Sequence, residues 1–328
     1  MYNLSGNMKL REYNDLKCKL GKYQQVVIKT AAEFDKWYTN FDRTHLIFRG
    51  STEAKRKNYT SSQRNWITKE WGKVLNISYI DYIDKLLSQI RSDKLLIDYF
   101  VSLGIAPNDI LYLSFMQHYA MPTPLIDFTK DLPTALFFAT DGLTHEASSV
   151  EIENYCSVYA LLPTDQIAPA DRVFANAYET GVRIVEEYRQ KNPDVEVNDD
   201  LVKYIDDMTK WIKKDGTRDG LHSFSLTYIP NPSDAVPVIS ASGQRLYWSN
   251  PNIVAQQGCF VMNPSETEVL EDVIASNPYI PNMICIDIHK SLADYIKKKY
   301  VSNMNQDTIY PKFKKVADKA YEEFKKNL

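Results

Sequence analysis

Two prolines constrain the stretch from Phe115 to Thr140 (FMQHYAMPTPLIDFTKDLPTALFFAT) more tightly than any other part of the chain. Met121-Pro122-Thr123-Pro124 cannot be helix interior, because each proline lacks an N–H and biases the residue before it toward extended geometry. Leu125 to Phe128 then reads as a short buried strand. Thr129 follows as a helix N-cap, Asp131 adds negative charge at the helix start, and Leu132, Ala135, Leu136 and Ala139 recur at helical spacing. This order of turn, strand and helix places Asp127 and Thr129 at a strand end, where side chains converge. Gln117, His118, Tyr119 and Thr123 add further polar groups to the same apolar run. Buried polar groups cost free energy unless paired or used, so the stretch is either a tightly bonded core or a site.

The 328 residues leave room for one large domain or two small ones. A net charge of −3 argues against a global basic footprint for nucleic acid or membrane, while leaving room for a local patch. The four cysteines form no CxxC pair and three lie in apolar runs, so reduced thiols are expected and no metal site is. No apolar signal segment and no apolar run of about 18 residues is present, so the expected setting is cytoplasmic, without membrane contact.

Residues 1–25 read as a polar, variable N-terminal segment and 26–328 as one domain. Val26 to Ile28 reads as a short strand, and Thr30 caps a helix with Phe34, Trp37 and Tyr38 on its apolar face. A second apolar strand ends in Arg49-Gly50-Ser51. There Arg49 either meets an anion or pairs with a carboxylate at the rim of the core. The basic run 55–70 reads as a loop. Ser78 opens a helix with Tyr79, Tyr82, Ile83, Leu86, Leu87 and Ile90 on one face, and another helix covers Lys94 to Leu103. Cys156 to Leu162 reads as a central strand, and 165–245 as a helical insertion. The run from Ile253 to Met262 reads as a strand interrupted by Gln256-Gln257-Gly258, either a bulge or a side chain aimed at a ligand. The expected fold is mixed α/β (α+β): a small central mixed sheet, with strands near 46–50, 125–128, 157–162, 253–262 and 283–288, surrounded by helices.

Three blocks occur in order: Phe48-Arg49-Gly50; Gln117-His118-Tyr119 with Pro122-Thr123 and Leu125 to Thr129; and Ala255 to Phe260. Together with Ala135 to Ala139 and Thr308 to Pro311, they resemble the FRG-domain family, named for its Phe-Arg-Gly motif. Ala120 stands where the family commonly has glycine, Pro124 where it has a basic residue and Phe128 where it has tryptophan. FRG domains are frequent in bacterial and phage-associated proteins, including defence and toxin–antitoxin settings, and some look like ADP-ribosyltransferases, which use NAD. The resemblance therefore implies an NAD-dependent transferase acting on a protein or RNA acceptor, with an antitoxin or chaperone as partner.

The site it implies has Arg49, Gly50 and Ser51 at the cofactor phosphates. Tyr119 would stack on nicotinamide, and His118 would bond ribose or act as base. Thr123 and Thr129 would also contact the cofactor, and Asp127 would orient the acceptor. Such transferases place a glutamate on the late strand, where this chain has Gln257. Three alternatives follow: Gln257 suffices for an unusual acceptor, Asp127 supplies the carboxylate, or the chain is a non-enzymatic nucleotide- or partner-binding module. For His118, a core histidine bonded to Asp127 competes with the site reading.

Overall fold

The computed structural model describes residues 9–105, 109–144, 146–164, 167–169, 190–191, 226–231 and 249–326. The helices expected around 182–188 and 201–212 lie outside the described residues. The strands are β1 (Tyr23–Ile28), β2 (Ile47–Ser51), β3 (Leu125–Thr129), β4 (Tyr155–Leu161), β5 (Ala168–Pro169), β6 (Thr227–Ile229), β7 (Gly258–Met262) and β8 (Met283–His289). They form one mixed sheet in the order β1-β8-β4-β2-β3-β7-β6-β5. The end pairs β1/β8 and β5/β6 are parallel and the others antiparallel. The expected mixed α/β architecture is the one observed.

All seven residues of β4 are buried, as expected of a strand covered on both faces. Cys156, Val158 and Ala160 join Phe34, Leu136 and Ile296 on one face of the sheet. Tyr155, Tyr159 and Leu161 join Tyr13, Leu16 and Leu270 on the other. The polar N-terminal segment thus threads apolar side chains into the core. It also carries Lys19, which is fully buried against Asp287 at 2.5 Å. A third core lies among helices α4 (Tyr79–Arg91), α5 (Lys94–Ser102) and α6 (Asp109–His118), which follow α1 (Ala31–Asn40), α2 (Ser61–Thr68) and α3 (Trp71–Leu75). Phe100, Ile110, Leu113 and Met116 fill it, each stabilising the fold by about 1.5–3 kcal/mol through burial.

One joint in the sheet positions the site. β2 runs alongside β4 over five residues, and β3 alongside β7 over five. Between them β2 and β3 meet at one register position, Phe48 opposite Thr129. Two well-laddered halves are therefore joined at a point and splay apart beyond it. Helix α7 (Leu132–Thr140) packs over β2 at this joint.

Three local expectations are corrected. The basic run 55–70 contains α2, whose N-terminus is closed by a reciprocal capping box between Thr60 and Gln63. The run 253–262 is not one strand: α8 (Pro251–Ala255), capped by Asn250, ends at Gln256-Gln257, and β7 begins at Gly258. Asp131, not Thr129, caps α7 by accepting from the Thr134 N–H, because Thr129 still belongs to β3. Four further helices follow: α9 (Leu270–Ser276), α10 (Ala293–Lys299), α11 (Gln306–Ile309) and α12 (Phe313–Lys326). No helix among the described residues is long and apolar enough to cross a membrane.

Candidate functional site

A cleft of about 780 Å³ opens where β2 and β3 part. Five cationic side chains line it among the described residues, namely Arg11, Arg49, Arg56, Lys57 and Arg64, against two carboxylates, Glu12 and Asp127. The chain carries a net negative charge, yet this concavity is basic. Clustered cations in a concave wall focus positive potential on whatever enters.

The Phe-Arg-Gly motif divides its labour by strand alternation. Phe48 packs into the core beneath α7. Arg49 lines the cleft and spans the parted strands, its Nη1 donating to the Asp127 main-chain carbonyl at 2.9 Å. It does not pair with the Asp127 carboxylate through that bond. The Arg49 Nε is buried with no hydrogen-bond partner. Gly50 lets α7 approach: a Cβ there would lie 2.1 Å from the Ala135 carbonyl oxygen. Its role is steric fit, although it borders the cleft. Ser51 also borders the cleft and donates to the Glu53 carbonyl at 3.0 Å.

Asp127 is exposed within the cleft and held by a relay. Gln117 Nε2 donates to its Oδ2 at 2.8 Å. The Gln117 Oε1 accepts from the Thr123 hydroxyl, which fixes the amide so that its NH2 faces the carboxylate. Thr123 is fully buried; its hydroxyl accepts from the Leu125 N–H at 3.3 Å and its main-chain N–H donates to Ser61 Oγ at 2.9 Å. Through Gln117 it helps to position Asp127, and it is not part of the cleft wall. His118 lines the cleft, and burial lowers its pKa, so the neutral imidazole is favoured near pH 7. Thr129 lines the cleft too, with its hydroxyl donating to the Gln256 carbonyl at 2.6 Å.

Two further predicted residues lie outside the cleft wall, as Thr123 does. Tyr119 is 60% exposed, packs on Phe115 and His118, and is not part of the cleft wall. Gln257 has a left-handed φ of +46° at the end of α8, and its side chain is exposed outside the cleft wall. Its neighbour Gln256 lines the cleft, with Nε2 donating to the Ile309 carbonyl at 3.0 Å.

Beyond the site residues singled out in the sequence, the cleft is lined by Arg11, by Arg56, Lys57 and Arg64 of the basic run, and by Tyr310. Arg64 lies on α2 and donates from Nη1 to the Tyr59 carbonyl at 2.7 Å. Burial, together with the charges of Arg49 and Arg56, pulls its pKa below the usual arginine value, and Asp127 opposes this. A guanidinium crowded by like charges gains from an arriving anion. The capping-box pattern from Thr60 to Gln63 would have placed Arg64 on a helix. Tyr310 follows α11, inside the Thr-Ile-Tyr-Pro run already noted in the sequence.

Residues 44–148 match the family model of the FRG domain, so that segment supplies β2, β3, Arg64, His118 and Phe138 of the cleft. Neither a curated protein nor a solved structure matches this chain.

Proposed function

Because this chain carries an FRG domain across residues 44–148, we propose that the domain's cleft binds NAD and that the protein acts as an ADP-ribosyltransferase-like enzyme on a protein or nucleic-acid acceptor. One observation carries the reading: a carboxylate, Asp127, held at the parting of two strands among cationic side chains. Arginine forks match phosphate oxygens bidentately, so Arg49, Arg56 and Arg64 would take the pyrophosphate. The reaction breaks the bond between the nicotinamide nitrogen and ribose C1′, the electron pair leaving with nicotinamide. The positive charge that develops on the ribose would be stabilised by Asp127. An acceptor lone pair then bonds to C1′, and the proton it sheds passes to the neutral imidazole of His118. Asp127 thus takes the place that a late-strand glutamate would fill, since Gln256 is tied to Ile309 and Gln257 is not part of the cleft wall. Such transfer would serve a toxin or defence effector.

The missing late-strand carboxylate favours a second reading, a module that binds a nucleotide without turning it over. Purified protein incubated with labelled NAD and a cell lysate separates the two, with free nicotinamide and label on protein and RNA followed separately. The transferase reading predicts nicotinamide release and label transfer, both reduced at least roughly a hundredfold in Asp127→Asn. Binding without nicotinamide release would leave the module.

A further inference from the structure

The cleft wall carries aromatic as well as cationic side chains. Phe138 of α7 and Tyr310 meet there edge to face with ring centroids 6.4 Å apart. Asp127, Arg64 and Arg56 line the same cleft. The aromatic pair is built from distant parts of the chain. The absent Gly50 side chain lets α7 bring Phe138 in, the Cβ of Phe138 lying 2.9 Å from where a Gly50 Cβ would sit. Gln256 donates to the Ile309 carbonyl at 3.0 Å, and Gln306 donates to the Asp141 carboxylate beyond α7 at 2.5 Å, which together fix the residue before Tyr310 and the helix carrying it. Tyr310 itself stays 39% exposed. An exposed tyrosine ring on a cleft wall offers a face for stacking a planar heterocycle.

We propose that Tyr310 is the stacking platform for the planar leaving-group base of a dinucleotide, nicotinamide in the case of NAD, with the phosphates running toward Arg64 and Arg56. This polarity sets the ribose C1′ beside Asp127. It rests on the NAD reading above and gives Tyr310 the role that the family resemblance implied for Tyr119.

Calorimetric titration of the full chain with NAD and with ADP-ribose, which lacks nicotinamide, tests it. Tyr310→Ala and Tyr310→Leu are expected to weaken NAD binding roughly tenfold or more, while ADP-ribose binding changes by less than about twofold. Tyr310→Phe and Tyr119→Ala keep wild-type affinity for both. Equal losses for the two ligands, or no loss for NAD, overturn the stacking role while the NAD reading survives. Wild-type protein that binds neither ligand overturns both.

Discussion

A methyl group at Gly50 would lie 2.1 Å from the Ala135 carbonyl oxygen and 2.6 Å from the Ala139 amide nitrogen. Helix backbone atoms cannot yield as a flexible side chain can. Gly50→Ala is therefore expected to destabilise the fold by about 1–3 kcal/mol, read from urea unfolding midpoints. Ala120 shows the opposite case. It has a φ of +58° just past α6, where the Met121 N–H donates to the Met116 carbonyl at 2.9 Å, a helix-ending turn that favours glycine. Ala120→Gly is expected to stabilise by up to about 1 kcal/mol in the same measurement, the left-handed penalty exceeding the entropy that glycine adds to the unfolded chain. Glu271 carries a pH dependence. Its carboxylate accepts from the Tyr13 hydroxyl at 2.8 Å, and burial raises its pKa. A carboxyl whose folded-state pKa lies above the unfolded one makes no penalty at low pH, where both states are protonated. It costs stability as pH climbs from the unfolded value through the raised folded one. Unfolding free energies at about pH 5 and about pH 8 should therefore differ less in Glu271→Gln than in wild type.

The apolar strands β2, β3, β4 and β8 are legible in the sequence because each is a short hydrophobic run between turn residues. Helix α2 is not, because its eight residues are mostly polar and its helical character rests on the capping box rather than on an apolar face. The Gln256-Gln257 segment misleads in the other direction. Asn250 and Pro251 signal a helix start, yet the apolar residues flanking the glutamines imitate a strand. The contacts that join these elements are invisible in sequence. The Thr129 hydroxyl reaches the Gln256 carbonyl, and the Gln256 side chain reaches Ile309, so β3, α8 and α11 are tied in series. Gln256→Ala releases the last link. It is expected to weaken NAD binding severalfold through Tyr310 with little change in unfolding midpoint, because the lost bond is a single partly buried one.

For the whole molecule, length and periodicity indicate a mixed sheet with helices around it. The strand order that parts β2 from β3 depends on pairings between segments some 80 residues apart, which no local pattern encodes. The same holds for the cleft: Arg49, His118 and Asp127 stand out in sequence, whereas Arg11 and Tyr310 reach it from the two far ends of the described chain. Segregating positive charge into one concavity of a net-negative protein has a measurable consequence. Affinity for an anionic ligand should fall steadily as salt rises, because the Debye length shrinks from about 10 Å at 0.1 M to about 3 Å at 1 M.

Calorimetric titration of NAD into wild-type and Arg64→Ala protein tests the central claim most directly. Arg64 lines the cleft from α2 and donates to the Tyr59 carbonyl, so its loss should lower the thermal midpoint by a few degrees at most, roughly the worth of one hydrogen bond. A cleft that holds the pyrophosphate predicts wild-type binding that weakens roughly tenfold or more in the variant, the worth of a charge-assisted hydrogen bond. Equal affinity in the two proteins, or no binding by the wild type, would contradict it.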